Sequence, residues 1–135
     1  MDTLLTDLRA VSVIAPRVLL RVANTSGEHF YAGYSAKNDY GLPTDARVHL
    51  SIAPSGLKAM WMKGDVPHLL LLLMNWAAGR QLLVRLEHRM EFDETGQLPI
   101  YALSLWDVEE RVRAEARDPL TALLRTIVLN SELDV

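Results

Sequence analysis

Cysteine is absent from the 135-residue sequence. Its absence excludes disulfide scaffolds, catalysis by a thiol and metal sites built from thiolates. It also suits a reducing compartment, and residues 1–7 have neither the basic region nor the long apolar run of a secretory signal. The sequence therefore predicts a cytoplasmic protein.

Positive charge is not in excess, because 14 Lys and Arg against 17 Asp and Glu give a net charge of −3. Nucleic-acid-binding proteins usually carry a basic face, so this balance disfavours that class. The sequence has no G-x-G-x-x-G, no phosphate loop and no H-E-x-x-H. It therefore predicts no cofactor and no bound metal. No apolar run reaches the roughly 20 residues that cross a bilayer, so no membrane partner is expected.

The most apolar stretch runs from Asp65 to Gly79 and predicts a short helix. Asp65 is a suitable N-cap, Pro67 fits the first turn, and Gly79 stands where a left-handed C′ residue would end the helix. At about 100° per residue the leucines spread over most of the circumference, and only His68 and Asn75 form a polar stripe. An ordinary surface helix has one apolar face. This one is expected to lie in the core, with more than one face to bury.

One face of this helix is expected to be covered by a β-sheet of the same chain, and another by the terminal helices or by a second copy of the protein. The second possibility favours a homodimer that also binds a protein partner, since a symmetric pair is the commonest oligomer. The candidate interface residues lie on this helix and on the last one: Leu69, Leu70, Leu72, Leu73, Met74, Trp76, Leu124, Ile127 and Val128.

The rest of the chain predicts a single α+β domain over residues 1–135. Helices are expected at 3–11, at 109–117, and after the capping pair Asp118-Pro119. Alternating apolar residues bounded by turn signals indicate the strands: 18–22, 28–35, 47–52, 82–92 and 99–108, with a further extended piece at 57–62. The predicted fold is an antiparallel sheet of about five strands with a central helix between strands 3 and 4, in the order α-β-β-β-α-β-β-α.

Three features are weighed as catalytic groups. His88 falls on the apolar side of its strand between Leu86 and Met90, where a hydrogen-bonded core histidine is favoured over a buried base. Acidic residues cluster in a hairpin loop and at the predicted start of a helix, where acids stabilise the helix dipole: Asp93 and Glu94, then Asp107, Glu109 and Glu110. An enzyme with an unrecognised site is the third hypothesis, and no catalytic residue is predicted.

The second hypothesis is a single-strand nucleic-acid binder, since five strands with a helix between the third and fourth is also the order of the OB-fold. Its candidate residues are aromatic platforms and arginines: Tyr31, Tyr34, Arg85, Arg89 and Trp106. The alternation of Arg85, Glu87, Arg89 and Glu91 argues against it, because a phosphate track needs uncompensated positive charge.

The element order, with Leu69–Leu73, Met74 and Asn75 leading into the hairpin of Arg80–Phe92, resembles the type III secretion chaperone fold and its relatives outside secretion. The turn Pro54-Ser55-Gly56 and the short first helix fit the same pattern. The resemblance implies a small acidic homodimer that captures another protein and performs no chemistry. The leading hypothesis is accordingly a non-catalytic protein-binding, chaperone-like or adaptor domain.

Overall fold

The computed structural model describes residues 2–52 and 60–133, with side chains described for 4–52 and 65–133. The chain divides into two compact units, residues 1–72 and 73–135. The described residues form three helices and seven strands. In chain order these are α1 (Asp2–Ile14), β1 (Leu20–Asn24), β2 (Gly27–Ala32), β3 (Val48–Ile52), β4 (Met60–Gly64), α2 (Val66–Gly79), β5 (Leu83–Asp93), β6 (Gly96–Trp106), β7 (Glu110–Ala116) and α3 (Pro119–Leu133).

The first unit contains a four-stranded antiparallel sheet whose strands lie side by side in the order β1-β2-β3-β4. A tight turn joins β1 to β2, with Asn24 paired to Gly27 and Gly27 in the positive-φ region that favours glycine. Buried apolar residues on β2 and β3 include Phe30, Val48 and Leu50. Removing such side chains from water is the main stabilising term for this unit.

The second unit contains a three-stranded antiparallel sheet in the order β5-β6-β7, with α3 packed against β6 and β7. The predicted hairpin is confirmed: β5 and β6 pair from Leu83↔Trp106 to Asp93↔Gly96, and Gly96 has a positive φ. Asp118 is confirmed as the N-cap of α3, since its carboxylate accepts hydrogen bonds from the backbone N–H and the hydroxyl of Thr121.

Helix α2 begins as predicted and ends differently. Asp65 caps it, with Oδ1 accepting the backbone N–H of His68 at 3.2 Å. Gly79 is still helical, and Gln81 takes the left-handed conformation with φ of 64°. The hydrogen bonds of a Schellman motif close the end: the N–H of Leu82 to the carbonyl of Ala77, and that of Gln81 to Ala78. The assignment of Gly79 to the C′ position was wrong because the left-handed residue lies two positions later.

The α+β class is confirmed, but the single sheet of about five strands was wrong. Seven strands lie in two sheets, and α2 stands between the fourth and fifth strands of the described chain. The fourth strand, β4, overlaps the extended piece predicted at 57–62, of which residues 57–59 lie outside the described residues, as does the Pro54-Ser55-Gly56 turn. The predicted element order therefore does not hold.

The helix predicted at 109–117 was also wrong, because this segment is strand β7. Its apolar residues alternate, with Val112 paired to Leu105 and Ala114 paired to Leu103. Glu109 and Arg113 have the i, i+4 spacing of a helical ion pair, but pairing with the open edge of β6 satisfies a whole row of backbone hydrogen bonds. Tertiary pairing outweighed a local preference worth only a few tenths of a kcal/mol.

Candidate functional site

Helix α2 buries one stripe and exposes the face opposite. Leu69, Leu73 and Ala77 recur every four residues and are fully buried. Leu71 points the other way and is 55% exposed. At 100° per residue Pro67 and Ala78 share this outward face, and both are exposed. Asn75 lies about 40° from Leu71 and is also exposed, so the outward face of α2 presents one large apolar side chain, Leu71, beside Pro67, Ala78 and one polar residue.

The structure sorts the nine predicted interface residues into two groups. Five are buried within the chain and have no surface to offer a partner: Leu69, Leu73, Leu124, Ile127 and Val128. Four are partly buried: Leu70, Leu72, Met74 and Trp76. The Trp76 indole is covered by the guanidinium of Arg80, whose central carbon lies 4.6 Å from the ring centroid. The available surface thus centres on Leu71, which the predicted set omitted.

Strand β5 carries a second exposed apolar row, which lies entirely within the second unit. Leu86, Met90 and Phe92 are 49%, 43% and 74% exposed. Their cross-strand neighbours on β6 include Leu103, which is buried. Helix α3 packs on β6 and β7, and this row on β5 stays in solvent. The exposed His88 lies between Leu86 and Met90 on this face, and exposed apolar residues grouped in this way mark interaction surfaces more often than scattered ones do.

The opposite face of the same sheet is a network of ion pairs. Arg89 reaches across β6 to Glu115 at 2.6 Å and also pairs with Glu91 at 2.7 Å. Arg113 crosses in the other direction to Glu87 at 3.3 Å. The crossings are possible because the β6 residue between Glu87 and Glu115 is the small Ala102. Hydrogen bonding to Arg89 lowers the pKa of Glu115.

Three of the five residues predicted for nucleic-acid binding, Arg85, Arg89 and Trp106, lie on or beside this ion-pair network. Arg89 is neutralised by two carboxylates, and Arg85 lies 3.3 Å from Glu87 and over the ring of Trp106. An open depression of about 570 Å³ is lined by Arg85, Trp106 and their neighbours, where β5 begins and β6 ends. Tyr31 and Tyr34 belong to the first unit. Tyr31 stacks on His49, so the structure groups only part of the predicted set.

A polar cluster in the first unit was not predicted as a site. His29 is buried, and its Nδ1 lies 3.0 Å from Nε2 of His49, while its Nε2 lies 2.7 Å from Oγ of Ser26. The register of β2 and β3 places Tyr31 directly opposite His49, and the two rings stack at 4.5 Å. Burial raises the pKa of the Tyr31 phenol. Sequence spacing could not reveal the cluster, because it depends on strand register.

The hydrogen bonds around Ser26 argue against a nucleophilic serine. The side-chain oxygen of Asn24 accepts both the backbone N–H and the hydroxyl of Ser26, at 2.9 Å and 2.6 Å. A serine hydroxyl has one proton, so Oγ must accept from Nε2–H of His29. In a neutral imidazole that donates from Nε2, the other nitrogen, Nδ1, is the acceptor, and it lies 3.0 Å from Nε2 of His49. A general base needs the opposite polarity, taking the serine proton itself. The cluster is therefore arranged as a structural hydrogen-bond chain.

The residues considered for catalysis are dispersed. His88 is exposed and stacks on Tyr101 at 4.7 Å, so the core histidine expected there was wrong. Strand β5 carries no covering layer, among the described residues, that would bury it. Asp93 accepts hydrogen bonds from Thr95 in the hairpin turn, and these lower its pKa. Asp107 accepts the backbone N–H of Glu109, which lowers its pKa too, in the turn before β7.

Within residues 2–52 and 60–133 no group of three or more His, Asp or Glu side chains could hold a metal ion. None of the helices in the described ranges is long and apolar enough to cross a bilayer. Comparison of the chain with protein-family models, with curated proteins and with solved structures finds no match.

Proposed function

We propose that the chain is a non-catalytic protein-binding domain that works as a homodimer. In this proposal the outward face of α2 is a contact surface, covered by a second copy or by a captured protein. The observation that carries the proposal is the exposure of Leu71 on a helix with only two polar side chains, His68 and Asn75. Exposed leucines favour burial by roughly 1.5–3 kcal/mol each.

Three features of the structure support binding over chemistry. The histidine cluster has its hydrogen bonds directed away from nucleophile activation at Ser26. The carboxylates of Asp93 and Asp107 cap turns. Apolar surface, in contrast, is exposed on α2 and again on β5. Burial of that surface is a sufficient mechanism for association, since apolar burial drives most protein–protein binding.

The proposal predicts that Leu71→Asp weakens association without unfolding the chain. Leu71 is 55% exposed in the single chain, so the carboxylate introduced there stays in contact with water and should leave the fold intact. We expect a folded protein by circular dichroism that has lost either its dimeric mass in solution or its captured protein. A loss of about tenfold or more in affinity is expected for a buried aspartate at a contact.

Leu133→Asp is the matched control, because Leu133 is also a helical leucine and is 56% exposed. It should keep both the mass and the captured protein. If Leu71→Asp behaves as this control does, the outward face of α2 makes neither contact and the proposal is wrong. Light scattering on the wild-type protein and the two variants, and then affinity capture from the source cells, supply both readouts.

A further inference from the structure

Strand β5 is an edge strand, and its outer edge is long. It runs for 11 residues, roughly 36 Å, and pairs on one side with β6. Among the described residues no strand pairs with its other side. An edge of this length presents a row of N–H and C=O groups that another strand can complete, and natural proteins normally block such edges.

The side chains of β5 do not block the edge against a second copy of the same strand. The residues from Val84 to Phe92 read Val-Arg-Leu-Glu-His-Arg-Met-Glu-Phe, with His88 at the centre. His88 is also the midpoint of the whole strand, Leu83–Asp93. Two antiparallel copies centred on His88 therefore overlap along their full length.

We propose that two copies of this chain pair antiparallel along β5, with the two-fold axis at His88. In that register Arg85 faces Glu91 of the second copy and Glu87 faces Arg89, so each directly opposed pair of charged residues joins opposite charges, while Leu83 faces Asp93 at the two ends of the seam. On the apolar face Leu86 meets Met90 and Val84 meets Phe92. Each pair occurs twice by symmetry, and opposite charges or apolar residues directly opposed across strands are stabilising.

The charges also exclude the neighbouring registers. With the axis at Glu87, Arg85 would face Arg89 and Glu87 would face itself. With the axis at Arg89, Glu87 would face Glu91 and Arg89 would face itself. Like charges directly opposed are destabilising. Axes at Leu86 or Met90 limit the seam to residues 83–89 or 87–93. The full-length register is thus the one that the side chains select.

The seam would place the exposed apolar rows of Leu86, Met90 and Phe92 from the two copies side by side on one face and join two three-stranded sheets into one of six strands. The inference rests on the proposed function only in taking the protein to be a homodimer. It assigns the dimer seam to β5, which leaves the outward face of α2 for a protein partner.

Cysteine cross-linking tests the register, because the chain has no cysteine of its own. Directly opposed residues in an antiparallel pair have Cα atoms about 4.5–5.5 Å apart, within the range of a disulfide. His88→Cys should therefore form a covalent dimer under mild oxidation. Leu86→Cys alone and Met90→Cys alone should not, since each residue would lie four positions, roughly 13 Å, from its own copy. An equimolar mixture of those two variants should cross-link.

Glu94→Cys, an exposed cysteine in the hairpin turn, measures collisional cross-linking and should give none above background. A dimeric mass without cross-linking of His88→Cys overturns the β5 seam and leaves the proposed function standing. Cross-linking of Leu86→Cys alone also overturns the register. A monomeric mass at all concentrations overturns the seam together with the proposed homodimer.

Charge exchange provides a second, independent test. Arg85→Glu alone and Glu91→Arg alone each place like charges opposite one another at two positions, so the dissociation constant of each should rise about tenfold. In an equimolar mixture the opposed pairs are again Glu with Arg and Arg with Glu, and dimer affinity should return to within about threefold of wild type. Recovery cannot come from changes inside one chain, since those persist in the mixture. Failure of the mixture to recover contradicts the seam.

Discussion

At the scale of single residues, the strongest electrostatic feature is Glu28 on β2. The pKa of Glu28 is lowered to about 2, from its ordinary value of 4.5. The largest cause is hydrogen bonding from Arg9 of α1. Burial opposes this by raising the pKa, and the pairing with Arg21 lowers it further. Both guanidinium groups lie within 2.8 Å of the carboxylate oxygens. A mostly buried carboxylate with two cationic donors ties the first helix to the sheet.

The pKa of Glu28 fixes the sign of its pH dependence. A carboxyl whose pKa is lower in the folded state adds stability that is fully present above the unfolded value of 4.5. That stability is lost as pH falls from 4.5 through the folded value of about 2. We expect Glu28→Gln to lower the free energy of unfolding by roughly 2 kcal/mol at pH 7.

Urea denaturation of wild type and variant between pH 7 and pH 3 measures this difference, which should narrow as the pH falls below 4.5. Glu94→Gln removes an exposed carboxylate of the hairpin turn and should change stability by less than about 0.5 kcal/mol at every pH. A Glu28→Gln difference that stays constant over this range would show that the ion pair is not its source.

At the scale of secondary-structure elements, α2 shows that the end of a helix is decided by the segment that the chain enters next. The chain must leave the helix into β5, and the buried Leu82 anchors the Schellman turn at its C″ position. The left-handed residue that this turn needs therefore falls on Gln81, although a glycine lies two residues earlier. A non-glycine residue there is strained by roughly 1–2 kcal/mol.

Two substitutions at this end should both stabilise the protein. Gly79→Ala replaces a helical glycine whose added Cβ would meet no atom within 4 Å, and should add about 0.5–1 kcal/mol. Gln81→Gly removes the strain at φ of 64° and should add a similar amount. Thermal or urea denaturation measures both. If Gly79 were instead the left-handed C′ residue, Gly79→Ala would destabilise the protein.

At the scale of the whole molecule, the net charge is small and the charges on the β5–β6–β7 sheet form self-neutralising pairs. The net charge is −3, and Arg85, Arg89 and Arg113 of the β5–β6–β7 sheet reach carboxylates within 2.6–3.5 Å. Neutralised arginines release few counterions on meeting a phosphate backbone. This arrangement suits a protein-binding surface whose specificity comes from matched charges.

We therefore expect no salt-sensitive binding of a single-stranded oligonucleotide at about 50 mM salt, measured by fluorescence anisotropy. The informative comparison is Arg89→Gln. If wild type does bind and this variant loses about one unit of salt slope, Arg89 contacts phosphate and the nucleic-acid hypothesis regains support. If neither the wild type nor Arg89→Gln binds the oligonucleotide, the result agrees with a charged face on the β5–β6–β7 sheet that is neutralised by its own ion pairs.

Local chemistry made several elements readable from the sequence. The N-caps Asp65 and Asp118 result from short-range hydrogen bonding, which the structure shows at both positions. The β5–β6 hairpin results from alternation on both sides of a glycine turn. The secondary structure of a segment could not be predicted where its sequence fitted both a helix and a strand. Residues 109–117 offered both helical charge spacing and alternation, and only the edge of β6 decided between them.

The sequence by itself determined the α+β class, the start of α2 and the β5–β6 hairpin, because these depend on neighbours within a few residues. Tertiary structure alone decided the division into two sheets, the exposure of His88, and the burial of five predicted interface residues: Leu69, Leu73, Leu124, Ile127 and Val128. It also brought His29 to His49. The physical reason is that burial and strand register depend on which distant segment covers each face, and no periodicity along one chain specifies its cover.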